Sequence, residues 1–232
     1  MMNQMNINKL YYINLDFRKD RRKFMEDQIK SISSLKSMER YEAIDGQKIN
    51  YGKENLLCEL FEVRRSGFKL GQSMTKGAYG LCKTLLEIYK KNVINKYGNI
   101  LICEDDCMFV DNFDNKFIEH MNHLPKNWDM IHFGYLKEDL VIKKKVNDYY
   151  STYEYKPGNQ CFMINQNACE IFLKHLKDPI LPSDTDMVER VTRKGLINAY
   201  ITNERLGYQK KDDISNTIPR GDKNFYYDKK NK

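Results

Sequence analysis

The stretch Asn99-Ile100-Leu101-Ile102-Cys103-Glu104-Asp105-Asp106 decides the reading of this chain. A short apolar run of this kind reads as a buried strand, and it ends abruptly in three consecutive carboxylates. In open α/β sheets, ligands collect outside the carboxyl ends of the strands. Three acids at such an end, in a chain of net charge +7, suit a hard divalent cation that in turn holds a diphosphate. The carboxylates are expected at the strand end, clear of the core. An ordinary acidic turn has the same composition, so the surrounding segments must decide between the two.

Upstream, Leu10-Tyr11-Tyr12-Ile13 reads as a first strand running into Asn14-Leu15-Asp16. Asp16 is placed to cap the following helix, in which Phe17, Arg21, Phe24, Met25, Gln28, Ile29 and Ile32 share one face. Strand, polar turn and helix form the opening of a nucleotide-binding α/β unit. A second strand over 38–43 leads into Ile44-Asp45-Gly46, where the glycine permits a tight turn. Residues 51–65 read as helical. Thr75 caps the most periodic helix, with Ala78, Leu81, Cys82, Leu85, Leu86 and Tyr89 on a core-facing stripe. Lys76 and Gly77 lie in its first turn, where backbone N–H groups can bind an anion.

Downstream, Asp111 is expected to cap a helix through about Met121, and Trp128 to Phe133 reads as a strand before Gly134. Residues 140–155 predict a hairpin turning at Asn147-Asp148. Cys161 to Ile164 reads as a short buried strand, and Asn165 caps the next helix. Ser183-Asp184-Thr185-Asp186 opens another helix, with Met187, Val188 and Val191 inward, and 198–202 reads as the last strand. Asp184 and Asp186 are the best-placed acids outside the main motif, although helix N-capping alone would explain an Asp there.

Composition bounds the rest. The 232 residues, 41% hydrophobic and 31% charged, predict a soluble globular chain with one main domain over 1–218 and a basic, loosely held tail over 219–232. The start is polar and predicts no signal peptide, and no apolar run approaches the ~20 residues of a membrane span. The expected location is cytoplasmic. The abundance of Asn, Lys, Ile and Tyr suggests an AT-rich bacterial or viral genome. The basic clusters Lys143-Lys144-Lys145 and Lys210-Lys211, and the tail, suit acidic partners, including peripheral contact with an anionic membrane. No nucleic-acid recognition motif is present, so a specific nucleic-acid partner is not expected. None of the six cysteines forms a C-x-x-C pair, which argues against zinc, and reduced buried thiols are expected. His120 and His123 lack an obvious third ligand and read as structural.

Taken in order, these blocks resemble glycosyltransferase family 25, which includes lipopolysaccharide and procollagen galactosyltransferases. Tyr12 to Asp16 with Asp20-Arg21-Arg22 is similar to the family's opening block, and Ala43 to Gly46 to its second. Ile102 to Asp106 looks like its acidic, DXD-like metal motif, and Trp128 to Ile131 with Gly134 like the strand after it. Pro182-Ser183-Asp184 and Gln209 with Ser215 resemble later landmarks. The resemblance implies an α/β, GT-A-type fold with a mixed central sheet flanked by helices. It implies Mn²⁺ or Mg²⁺ and a UDP-galactose or UDP-glucose donor. The acceptor would be a glycan or protein hydroxyl, and the transfer would invert the linkage; a homodimer is a separate expectation that does not come from the resemblance. It puts Asn14, Asp16, Arg21, Asp45 and Gly46 near the donor nucleotide, Glu104 and Asp106 on the metal with Asp105 beside them, and Asp184 toward the acceptor, with Asp186 as the other candidate base. The chain departs from the family at 77–85. Gly-Glu, Gly-Cys and Ser-His are typical there; this chain has Gly77-Ala78, Gly80-Leu81 and Thr84-Leu85. That departure motivates a second expectation, a catalytically inactive relative that binds a glycan or a partner.

Overall fold

The computed structural model describes residues 7–49, 75–138, 140–156, 158–177, 179 and 182–210. The helix expected at 51–65, the tail over 219–232, Cys58 and Ser215 lie outside these residues.

The chain runs β1 (Lys9–Asn14), α1 (Lys19–Ser31), β2 (Glu39–Glu42), α2 (Lys76–Asn95), β3 (Ile100–Glu104), β4 (Cys107–Phe109), α3 (Phe113–Asn122) and β5 (Met130–Gly134). It continues with β6 (Val141–Lys145), β7 (Tyr150–Tyr155), β8 (Cys161–Ile164), α4 (Gln166–His175), α5 (Ser183–Met187), a π-helical turn (Val188–Thr192), β9 (Ala199–Thr202) and β10 (Gly207–Gln209). The strands form one mixed sheet in the order β2-β1-β3-β8-β5-β9-β7-β6. β2, β1 and β3 are parallel, β8 is antiparallel to both β3 and β5, and β9 is parallel to β5. This mixed, helix-flanked sheet has the α/β architecture expected.

Both faces of the central strands are buried, which is why β1 and β3 read as nearly unbroken apolar runs. Tyr11, Ile13, Ile100 and Ile102 pack on the face covered by α2, α4 and α5. Leu10, Tyr12, Leu101 and Cys103 pack on the other, with Met25 and Ile29 of α1 and Phe113 and Phe117 of α3. Adjacent residues thus serve opposite cores, as the two-residue strand period requires.

Several local expectations hold. Thr75 accepts from Ala78 N at the start of α2, and Asn165 from Ala168 N at the start of α4. Asn147 Oδ1 accepts from the Tyr149 and Tyr150 backbones in the β6–β7 hairpin. Two caps differ. Asp16 does not cap α1, because a turn over Leu15–Arg18 intervenes; Arg18 is the cap position, without a side-chain bond. Asn112, in the left-handed region, takes the cap position of α3 expected for Asp111. Phe17, expected on the packed face, is exposed ahead of the helix.

The Ile44–Gly46 turn sits directly on the first turns of α2. A Cβ on Gly46 would lie 1.8 Å from Lys76 O, and one on Gly80 would lie 2.5 Å from Ile44 O. Thr84 Oγ1 accepts from Ile44 N at 2.9 Å and donates to Gly80 O. Glycine is needed at both places because backbone meets backbone.

Candidate active site

Glu104 is the last residue of β3, and Asp105 and Asp106 form a tight turn before β4. The sequence did not signal β4 or β10; they pair antiparallel with each other and close over this turn. Gln28 of α1 fastens it further, donating to Cys107 O at 3.0 Å and accepting from Phe109 N at 2.9 Å. Lys210 N donates to Asp106 O at 2.9 Å. The acids are therefore not clear of the core as expected: Asp105 is 7% and Asp106 4% exposed.

Each buried acid has partners of its own. Asn14 Nδ2 donates to Asp105 Oδ2 at 2.6 Å. Arg21 Nη1 lies 2.9 Å from Asp105 Oδ1 and 3.2 Å from Asp106 Oδ2. Gln209 Nε2 donates to Asp106 Oδ2 at 3.3 Å. Arg40 completes the cluster by donating to Asn14 Oδ1 at 3.0 Å and pairing with Asp16 Oδ1 at 3.2 Å. The structure thus brings Asn14, Arg21, Asp105 and Asp106 into direct contact. Asn14 and Arg21 hold the acidic turn from beneath, and Asp16 joins at the exposed rim through Arg40 and Lys19.

A second carboxylate enters from α5. Asp184 accepts from Gly158 N at 2.6 Å through Oδ2 and from Thr185 N at 2.9 Å through Oδ1. Asp184 and Glu104 sense each other's charge, and both act on the buried Lys156. Asp186 does not join them. Residues two apart on a helix point in nearly opposite directions. Asp186 is 1% exposed and pairs with Arg190 at 3.3 Å, beside an apolar cavity lined by Leu85, Tyr89, Leu176 and Met187. Asp45 caps its own short turn through Gln47 N, and Gly46 packs on α2.

Among the described residues, the acids of the site outnumber the cations that act on them. Glu104, Asp105, Asp106 and Asp184 face Arg21 and Lys156. Burial, reinforced by Asp106, Asp184 and Asp105 and opposed by Lys156, pushes the Glu104 carboxyl up to about 8. Burial raises Asp105 too, against the pull of Arg21 and Asn14. Among the described residues, Asp106 Oδ1 is buried without a hydrogen-bond partner. An orphaned carboxylate oxygen beside an acid held partly protonated fits a divalent cation. Among the described residues no group of three or more His, Cys, Asp or Glu could hold a metal ion unaided. Glu104 and Asp106 would then supply one or two oxygens, with phosphate oxygens and water completing the shell, as Mg²⁺ sites commonly do.

This electrostatic strain has a measurable consequence. Because the folded Glu104 carboxyl titrates near 8 instead of 4.5, the native state binds the extra proton, and stability falls as pH rises across that window. Glu104→Gln removes the effect. In chelator, the variant should be more stable than the parent by about 1–3 kcal/mol at pH 8, a value discounted for the side chain's residual solvent contact. The difference should shrink toward zero near pH 4.5. Denaturant titration at several pH values measures it, and a pH-independent difference would contradict the assignment.

The described cysteines, Cys82, Cys103, Cys107, Cys161 and Cys169, are buried, and no disulfide joins any two of them. His120 is buried against Tyr149 and Tyr150, and His123 stacks on Tyr149, so both are structural. Among the described residues no helix is long and apolar enough to cross a membrane. Sequence reasoning missed Arg40, Lys156, Gly158 and Asn159. Only Pro157-Gly158 carried a signal, and that signal was for a turn.

Comparison with known proteins follows the same lines. The model of glycosyltransferase family 25 (LPS biosynthesis protein) matches residues 7–187. No curated protein matches significantly. Among solved structures, a glycosyltransferase involved in the glycosylation of the major capsid of PBCV-1 aligns over 89% of this chain and 94% of its own, with TM-score 0.47 and 9% identity. A197 from STIV aligns over 91% and 98%, with TM-score 0.38 and 13% identity. The two structural likenesses are distant, whereas the family match spans β1 through α5 and every acid of the site. The chain belongs to glycosyltransferase family 25.

Proposed function

We propose that this transferase moves a hexose, galactose or glucose, from a UDP-sugar to a hydroxyl of a glycan or of a collagen-like protein, with inversion. The observation that carries the reading is the unpartnered buried Asp106 Oδ1 beside the charge-strained Glu104 at the end of β3. When bound there, Mn²⁺ or Mg²⁺ neutralises the diphosphate leaving group.

The protein's own groups divide the remaining work. Arg21 and Asn14 fix Asp105 and keep the turn rigid. Asp16, exposed at the rim, and the Asp45–Gly46 turn beside α2 are the candidates to meet the nucleotide. Asp184 is the candidate general base. Two backbone N–H bonds orient its carboxylate, and such a group can take a proton from an acceptor hydroxyl as the bond to the sugar forms. Asp186, buried and paired with Arg190, is the less favoured of the two candidate bases.

The inactive-relative reading rested on the altered 77–85 segment. Ala78 and Leu85 are buried, Leu81 packs against the same core, and Thr84 ties α2 to the Ile44 backbone. These changes belong to the packing of α2 and leave the acidic centre whole, which favours activity. The test is UDP release from UDP-galactose and UDP-glucose with Mn²⁺, with and without glycan acceptors. The expected result is release from one donor that stops in chelator. Release unaffected by chelator would remove the metal from the account.

A further inference from the structure

Lys156 is 1% exposed, and lysine is among the residues least often buried. Its ammonium donates to Gly158 O and, at 2.7 Å, to Asn159 Oδ1. Those two residues grip the start of α5: Gly158 N holds Asp184 Oδ2 at 2.6 Å, and Asn159 Nδ2 reaches Ser183 Oγ at 3.4 Å and Met187 Sδ at 3.5 Å. The next residue ties to the other carboxylate, because Gln160 O accepts from Glu104 N at 2.9 Å. One loop therefore touches the metal-side acid at one end and the candidate base at the other. The loop turns at a glycine in the left-handed region. Gly158 has φ +79°, and a Cβ there would meet the Gln160 side chain at 2.7 Å.

We propose that Lys156 is a positioning residue of the transferase, which clamps the Gly158–Asn159 loop so that Asp184 is held facing Glu104 across the site. A methionine would fill the same space without the cost of burying an amine. The cost is offset here by two hydrogen bonds and by two nearby carboxylates. Burial drives the Lys156 amine down to about 7, while Asp184 and Glu104 pull it back up. Lys156 is enclosed by the loop and acts through it. The proposal rests on the transferase reading only for its kinetic consequence.

Lys156→Met is the test, read in two ways. In the first, amide hydrogen exchange at Gly158 and Thr185, the two donors to Asp184, should quicken about tenfold. Exchange at Ile102 and Met163 in β3 and β8 should not change, which also shows that the variant is folded. In the second, kcat should fall on the order of 10²-fold with donor KM within about twofold, because misplacement of a reacting group acts on turnover. Unchanged exchange at Gly158 and Thr185 in the folded variant overturns the proposal, as does a rise in donor KM with kcat intact. If β3 and β8 lose protection, Asn159→Ala takes its place; it removes one acceptor of the amine and the Ser183 contact, and must show the same local loosening. A parent protein that turns over no UDP-sugar would sink the UDP-sugar reading, and the exchange measurement would still decide the role of Lys156.

Discussion

Arg21→Ala is expected to destabilise the protein by about 3–5 kcal/mol, the cost of leaving buried charges without their partner. Arg21 is 7% exposed, and its Nη1 lies within 3.2 Å of both Asp105 and Asp106. Removing it leaves Asp105 with Asn14 and Asp106 with Gln209, neither of which carries charge. The measurement is a denaturant titration in chelator at neutral pH. Combining the change with Asp105→Asn should recover part of the loss, because one of the two stranded charges is gone and the effects of contacting residues are not additive. Added Mn²⁺ should recover another part, since a ligand that binds only the folded state stabilises it, by about 2.7 kcal/mol at a hundred times its Kd. A loss below about 1 kcal/mol would mean that Arg21 is not the counter-charge of the acidic turn.

Asp106→Asn should behave in the opposite way, with little change in stability and a large loss of function. The amide keeps an oxygen for Gln209 or Arg21, and the orphaned Oδ1 has no bond to lose. Metal-dependent turnover should fall by about 10²–10³-fold in kcat/KM, equivalent to several kcal/mol of charge stabilisation at the leaving group. Circular dichroism and thermal melting would confirm an intact fold, and steady-state assay across Mn²⁺ concentrations would measure the loss. Turnover and metal dependence unchanged in this variant would place the metal elsewhere.

The two variants separate scaffold from chemistry within one cluster, and that division was only partly legible in the sequence. The apolar run ending at Glu104 announced a buried strand with acids at its carboxyl end, and β3 is that strand. Alternation in β1 and β3 hides in the sequence because both faces are covered, yet unbroken apolar runs are what such burial requires. The depth of Asp105 and Asp106 was not legible. It depends on β4 and β10, which are three residues each and pair across about a hundred positions. Such short segments carry too little periodicity to be recognised.

The base was legible only in part. Ser183-Asp184-Thr185-Asp186 offered two acids, of which the resemblance favoured Asp184, and helix geometry points them in different directions. Arg190, one turn further on, claims Asp186, while Gly158 claims Asp184. Lys156 gave no warning at all. A lysine at the end of a hairpin strand reads as solvated, and only the loop folded around its amine shows otherwise. The altered residues at 77–85 pointed the other way. They read as lost chemistry, and in the structure Ala78 and Leu85 are buried in the packing of α2.

The central claim is that Glu104 and Asp106 bind a divalent cation together with a nucleotide diphosphate. Calorimetric titration of UDP, UDP-glucose and UDP-galactose into the protein, in Mn²⁺ and in chelator, tests it most directly. The account predicts binding of UDP and of one sugar nucleotide that requires the metal and is lost in Asp106→Asn. Binding of equal strength in chelator, or no binding of any of the three by the folded protein, would contradict it.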